Sequence, residues 1–315
     1  MSKPCPLVSV VCDVFNHEPF IEDALKGFVM QETNFPFEVL IHDDASTDES
    51  ARLIQRYADR YPHLIKPIYQ KENQYSQGVS IWLTYQFSRV KGKYIALCEG
   101  DDYWTDPHKL QKQVDFLEAN PEYTLCFHNA REKWEGSNEE RGFAPIEDRA
   151  YSGVEIYDNW IIPTASTVFR TSLVQSERFQ ETIHNPNFLF HDIVLFMSCA
   201  EEGKIRGMSD NLSVYRRHPG GVLYYESLQR DYKQSLHDVE IGKHFEKLGV
   251  RQIAYARGGF RALKGFFYAL FLNRRSLLRP FLSIIKETLS LKLVVKIPKA
   301  IGSSLHHLKE YSKKE

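Results

Sequence analysis

The stretch Lys91–Trp104, KGKYIALCEGDDYW, sets a short apolar run, Tyr94 to Cys98, directly against Glu99, Gly100, Asp101 and Asp102. Nothing in the run alternates with polar residues, so it reads as a β-strand buried on both faces, ending at a sheet edge. Three carboxylates within four residues repel one another and are costly at the lip of a packed core unless a cation neutralises them. Oxygen ligands favour a hard ion, Mg²⁺ or Mn²⁺, which takes few protein carboxylates and completes its shell with water and substrate phosphates. A diphosphate substrate is therefore implied. The bland alternative is a turn at Gly100–Asp102 with Thr105 or Asp106 capping a helix that begins at Pro107. That explains Asp106 but not Glu99 and Asp101.

Working outward, Leu7–Val14 reads as an apolar strand, and His17–Gln31 carries helical spacing in Phe20, Ile21, Ala24, Leu25 and Phe28. Phe37–Ile41 is a second strand, Thr47–Tyr61 a helix and Ile65–Tyr69 a third strand. A helix over Val79–Val90, the strand Tyr94–Cys98, a helix over Pro107–Ala119 and a strand over Thr124–His128 continue the alternation. Five strands alternating with four helices predict a parallel α/β sheet, in which ligands bind beyond the carboxyl ends of the strands. Three polar clusters fall on that rim: Asp13–Asn16, His42–Ser46 and the acids at 99–102. No Gly-x-Gly-x-x-Gly follows the first strand and no Walker loop occurs, which argues against a dinucleotide dehydrogenase and a P-loop nucleotidase.

The chain has 315 residues, 43% hydrophobic and 26% charged, as in ordinary globular proteins. Its five cysteines are scattered, odd in number and without metal-site spacing, which points to free thiols in a reducing compartment, the cytoplasm. The amino terminus lacks a signal-peptide core, and no apolar run is long enough to span a membrane. The net charge of −1 hides an asymmetry: from Glu240 onward there are 16 Lys and Arg against 5 Asp and Glu. Such a basic end suits an anionic surface.

Three segments in register, VSVVCDVFNHEPFIEDAL, FEVLIHDDASTDES and GKYIALCEGDDYW, together resemble the amino-terminal half of family 2 glycosyltransferases, nucleotide-sugar enzymes of the GT-A fold. The resemblance implies a GT-A-type, Rossmann-like, mainly parallel sheet flanked by helices. The domain expectation is a catalytic domain over residues 1–225, with a nucleotide-binding half (1–130) and an acceptor half (131–225), and a basic helical extension over 226–315. By position, Asp44 matches the base-binding aspartate, with Asp13 and Phe15 lining the same pocket. The ending Asp13-Val14-Phe15-Asn16 departs from the commoner Pro-Thr-Tyr-Asn. The acids resemble the DXD-type motif: Asp102 matches the metal ligand and Asp101 the residue near the donor ribose or sugar, with Glu99 retained as a further candidate ligand. The bland reading of Asp43, Asp44 and Ser46 is turn and helix-cap chemistry.

The segment FLFHDIVLFMSCAEEGKIRGMSDNLSVYRRHPGG resembles the acceptor-side block of the family, and Asp192 there occupies the catalytic-base position. Asp192 as a helix cap is the alternative, and His191 is a weaker base. In the Tyr215–His218 stretch, Arg216 suits bidentate contact with a diphosphate and His218 a metal shell or a phosphate. Thr164, Ser166 and Thr167, in the strand-like run Ile161–Phe169, meet either acceptor hydroxyls or their own backbone. Glu132–Ala150 reads as an exposed loop. Beyond Glu226, helices are predicted over Leu228–Leu248, Ile253–Leu272 and Arg274–Leu291. Phe260, Leu263, Phe266, Phe267, Leu270 and Phe271, flanked by arginines and lysines, serve either internal packing, a second copy in a homo-oligomer, or the surface of an anionic membrane.

These features predict an inverting, Mn²⁺- or Mg²⁺-dependent transferase taking a UDP- or dTDP-sugar to an acceptor hydroxyl. By resemblance, the acceptor is a glycan or a lipid-linked glycan in surface polysaccharide assembly; the expected location is the cytoplasm, with peripheral contact at the inner face of the membrane as an open alternative. The alternatives are a sugar-nucleotide nucleotidyltransferase, which ordinarily carries a Gly-rich loop after its first strand, and a binding protein without turnover. Nucleic acid is not an expected partner.

Overall fold

A computed structural model describes residues 5–137, 139–220 and 227–289. The chain runs β1 (Val8–Val14), α1 (Ile21–Val29), β2 (Phe37–Asp43), α2 (Ser50–Arg60), β3 (Ile65–Tyr69), β4 (Tyr94–Leu97), β5 (Tyr103–Trp104) and α3 (Lys109–Ala119). It continues with β6 (Tyr123–Trp134), β7 (Glu140–Gly142), β8 (Arg149–Tyr151), α4 (Gly153–Asn159), β9 (Val168–Arg170), α5 (Ser172–Gln175), α6 (Glu177–Ile183), α7 (His191–Glu202) and β10 (Lys204–Arg217). Helices α8 (Leu228–His244), α9 (Arg251–Phe271) and α10 (Arg275–Leu289) follow. Two compact units result: residues 1–179 with 202–218, and residues 180–201 with 219–315. The second thus takes in part of the segment assigned above to the acceptor half.

In the first unit, β3-β2-β1-β4 pair in parallel, as the alternation predicts. The next strand in space is not the next in sequence. β9 inserts between β4 and β6, antiparallel to both, so the fifth anticipated strand keeps its direction but not its neighbour. Arg170 at the end of β9 explains part of this placement: its guanidinium donates to the carbonyls of Tyr123 at 2.8 Å and Leu117 at 2.6 Å. β10 then pairs in parallel with β6 and antiparallel with β5, which brings Tyr215–His218 back to the acidic motif. Val8, Val10, Cys12, Val39, Ile41, Tyr94 and Ala96 from the strands, with Cys98 just beyond β4, pack with Ile21, Leu25, Phe28, Ile54, Leu110 and Val114 from the helices in one core.

Three local expectations change. The helix anticipated over Val79–Val90 is a single π-turn, Trp82–Gln86, followed by a 3₁₀ turn, Phe87–Arg89. Gln86 is drawn inward there, donating to the carbonyls of Cys12 at 3.0 Å and Leu40 at 3.3 Å. Of the expected strand over Ile161–Phe169, residues 164–166 form a 3₁₀ turn and only the last two residues join β9. The anticipated loop over Glu132–Ala150 is partly ordered, because β6 runs on to Trp134 and folds back through β7.

The second unit contains α8, α9 and α10 packed around Tyr255, Ala262, Tyr268, Ala269, Phe281 and Ile284. The last two residues predicted for the final helix lie outside the described residues. Among the described residues, no helix is long and apolar enough to cross a membrane.

Candidate active site

The carboxyl ends of β1 and β2 are joined by their loops. Asn16 takes a left-handed conformation, φ 55°, which asparagine tolerates better than most residues. Its backbone N–H donates to Ser46 Oγ at 2.9 Å, and its Oδ1 accepts from the Thr47 N–H at 2.8 Å. The N–H of His17 donates to Ser50 Oγ, and that of Glu18 to Asp48 Oδ2, each at 2.9 Å. The DDASTD sequence is therefore more than a helix start, since its side chains satisfy the backbone of the neighbouring loop.

Asp44 is buried. Its two carboxylate oxygens accept from the backbone N–H groups of Gln74 at 2.8 Å and Tyr75 at 3.0 Å, which caps the 3₁₀ turn Tyr75–Gln77 rather than α2. An ionised carboxylate has about four acceptor positions, so these bonds leave capacity for a further donor. Asp13, half-buried nearby, accepts from Gln86 Nε2 at 2.7 Å. Burial pushes its pKa up to about 7 against the pull of that hydrogen bond, and the charge of Asp44 adds to the rise. Phe15 stands on the rim, 43% exposed.

Gly100 brings the acidic motif against β1. Its N–H donates to the Asp13 carbonyl at 3.0 Å, and a Cβ there would lie 2.8 Å from Val14 Cγ2 and 2.9 Å from His17 Nδ1. A larger residue would have to displace the side chains of Val14 and His17. Asp102 is buried, and its Oδ1 accepts from the Arg216 N–H at 2.8 Å. Burial, reinforced by the charge of Asp101, pushes its carboxyl well above the usual range despite Arg216 and Arg217. Asp101 goes the other way. Burial opposes its charge, yet the hydrogen bond from His218 and the nearness of His17 hold it below the ordinary value. Its Oδ2 lies 3.0 Å from His218 Nε2 and 3.9 Å from His17 Nε2. Glu99 is half-buried beside them.

Arg216 sits behind this motif. Its guanidinium donates to the Asp101 carbonyl at 2.7 Å, to Asp23 Oδ2 at 2.8 Å and to Glu135, and stacks 5.0 Å from the Phe20 ring and 4.8 Å from that of Tyr103. The hydroxyls of Ser166 and Thr167 are turned inward, donating to the carbonyls of Pro163 and Thr164. In the second unit, Asp192 is the second residue of α7 and is half-buried. Its Oδ1 accepts from the Ile193 N–H at 2.8 Å, and burial raises its pKa although that bond opposes the rise. Burial lowers the pKa of the adjacent His191, with a contribution from His184.

Residues 9–176, more than half of the chain, match the sequence profile described as glycosyl transferase family 2. The chain belongs to this family. An uncharacterized protein of Mycobacterium tuberculosis is 39% identical over 218 residues, covering 69% of this chain and 60% of the relative. The chain thus spans about 60% of the length of that relative. Among solved structures, Staphylococcus aureus TarS residues 1–349, in complex with UDP-GlcNAc, superposes with a TM-score of 0.59 at 16% identity, covering 89% of this chain and 90% of the other. The mannosyltransferase PcManGT of Pyrobaculum calidifontis, in complex with GDP-Man and Mn²⁺, gives 0.53 at 16% identity over 99% and 86%. These likenesses establish the GT-A fold.

Within this family member, the first unit brings Asp13, Asp44, Asp101, Asp102, Arg216 and His218 to the ends of β1, β2, β4 and β10. Among the described residues, no group of three or more His, Cys, Asp or Glu side chains is arranged to hold a metal ion by itself. The donor set nevertheless suits a hard cation: Asp101 already faces an imidazole, and a positive charge would offset the repulsion by which Asp101 raises the pKa of Asp102. Such an ion needs only one or two protein carboxylates when substrate phosphates complete its shell.

Sequence reasoning assigned no role to His17, Asp23, Gln86 or Glu135. His17 lies only three residues beyond β1, so its place on the rim was a readable signal. Gln86 and Glu135 carry none, because chain reversals far from the motif deliver them.

Proposed function

We propose that this protein transfers a sugar from a UDP- or dTDP-sugar to an acceptor hydroxyl, with inversion at the anomeric carbon, in the assembly of a surface polysaccharide or another glycan. The observation that carries this reading is the pairing of half-buried Asp101 with buried Asp102, one carboxylate facing His218 and the other tied to the backbone of β10. Asp102, Asp101 and His218 would hold Mn²⁺ or Mg²⁺, with Glu99 as a further oxygen donor. When bound, the ion would neutralise charge on the departing nucleoside diphosphate.

Asp44 accepts the imide N–H of the base while keeping its two backbone donors, and Asp13 and Phe15 line the nucleotide. Arg216 holds Asp101 in place, and a diphosphate would compete with Asp23 and Glu135 for its guanidinium. Asp192 takes the proton of the acceptor hydroxyl on its carboxylate. Its raised proton affinity suits that role better than an ordinary surface aspartate would. One displacement then suffices, without a covalent glycosyl intermediate.

The test is a panel of UDP-, dTDP- and GDP-sugars incubated with the full chain and Mn²⁺, Mg²⁺ or EDTA. Metal-dependent release of UDP or dTDP is expected. Release of pyrophosphate, or binding without turnover across the panel and a range of glycan acceptors, would overturn the proposal.

A further inference from the structure

Helix α9 reverses the usual arrangement of an amphipathic helix. Its inner face consists largely of small residues, Ala254, Gly258, Ala262, Gly265 and Ala269, all buried. They admit close neighbours: a Cβ on Gly265 would lie 2.5 Å from Cζ of Phe281, and one on Gly258 would lie 2.9 Å from the Ser235 carbonyl oxygen. Tyr255 and Tyr268 are buried with them, whereas four other large apolar side chains point outward. Leu263, Phe267, Leu270 and Phe271 are 42%, 58%, 56% and 74% exposed, and their spacing of four, three and one places them on one face. Such a row of exposed aromatic and aliphatic groups marks a surface that meets an apolar partner.

Exposed cations follow this row in the chain. On α10, Arg275, Arg279, Leu282, Lys286 and Leu289 are exposed and recur at steps of four, three, four and three, which gives a face of alternating positive and apolar character. Only the turn at 272–274 separates Phe271 from Arg275. The single acid of these two helices, Glu287, does not break the pattern, since it pairs with Lys243.

We propose that the α9–α10 face docks on an anionic phospholipid surface, with Phe267, Phe271, Leu263 and Leu270 entering the headgroup–acyl boundary and Arg275, Arg279 and Lys286 meeting lipid phosphates. Charge decides between occupants. A second copy would set these cations against their own images, and residues 290–315 carry six lysines against two glutamates, the same sign. A bilayer with acidic headgroups satisfies both the apolar row and its cations. The proposal is independent of the transferase reading, because it uses no residue of the candidate active site.

The experiment is sedimentation of the full chain with vesicles of phosphatidylcholine alone or with about 30% phosphatidylglycerol. Binding to the anionic vesicles is expected, weakened by salt. Arg275→Gln/Arg279→Gln/Lys286→Gln should lower it about 10²-fold, at about fivefold per cation. Phe267→Ser/Phe271→Ser should lower it about tenfold or more. All of these positions are exposed, so circular dichroism should be unchanged. A second readout is Phe267→Cys labelled with an environment-sensitive dye in a Cys5→Ser background. Its emission should shift to the blue only when anionic vesicles are added. A dye already buried without lipid, a dimer dissolved by the Phe double variant, or vesicle binding indifferent to both sets of substitutions would overturn the proposal.

Discussion

Replacing Asp192 by Asn separates chemistry from architecture. The side chain keeps its shape, and its Oδ1 can still accept from the Ile193 N–H, the 2.8 Å bond seen in the native residue. Asn serves at a helix start about as well as Asp, so that bond accounts for no more than about 0.5 kcal/mol of lost stability. The charge works in the other direction. Burial raises the carboxyl pKa above its value of 3.8 in the unfolded chain. Between those two values the folded state binds more protons, so wild-type stability falls as pH rises through the window and stays lower above it. The Asn variant lacks this loss. It should melt at or above the wild-type temperature at pH 8, with the difference shrinking toward pH 4. Transfer should nevertheless fall by about 10²-fold or more, the ordinary contribution of a positioned general base. The assays are a thermal scan at several pH values, calorimetry with the donor identified by the panel, and release of nucleoside diphosphate per folded molecule. Unchanged turnover with a lowered melting temperature would remove Asp192 as the base and leave it a structural residue of α7.

Asp102→Asn keeps the acceptor for the Arg216 N–H but removes a charge, so metal-dependent affinity for the nucleotide sugar should fall at least about tenfold in calorimetry; equal affinity with and without Mn²⁺ in both proteins would contradict the ligand assignment. Lys109 is buried 4.2 Å from the centre of the Trp104 ring, and among the described residues its Nζ has no hydrogen-bond partner. Burial depresses its pKa to about 7 from 10.5, so the unfolded chain binds the extra proton between those values and wild-type stability should rise across that range by up to about 1.4 kcal/mol per pH unit. Lys109→Met should flatten this dependence and be the more stable protein at pH 7, as read by denaturant unfolding. Asn16→Ala loses the bond to the Thr47 N–H and sets an alanine at φ 55°, which should cost about 2–3 kcal/mol, whereas Asn16→Gly should recover about 1 kcal/mol of that loss in the same measurement.

Local pattern was enough to place β1 to β4, because four-to-seven-residue strand-like runs separated by segments of helical spacing leave few alternatives to a parallel sheet, even though the segment before β4 folds as a π-turn and a 3₁₀ turn. The acids at 99–102 were conspicuous for the same reason: charge at the end of a buried strand demands compensation. The outward row on α9 was also present as a list of large apolar residues, but its inner face was not, since glycine and alanine give little periodic signal.

What the tertiary structure alone decided depends on distant residues meeting. The insertion of β9 between β4 and β6 is supported by the guanidinium of Arg170 finding carbonyls at 117 and 123, a match between segments some 50 positions apart. Arg216 reads from sequence as a phosphate ligand, yet its donors reach Asp23, Glu135 and the Asp101 carbonyl once β10 lies beside β5. Likewise, Asp44 lies at the start of a helix-like segment but spends its oxygens on Gln74 and Tyr75, 30 and 31 residues downstream. Residue type and short-range spacing determine which groups can bear charge and which strands are buried. Which partner each charged group takes is set by desolvation in the folded chain, where a buried carboxylate or guanidinium must be satisfied by whatever donor or acceptor the sheet order brings within about 3 Å.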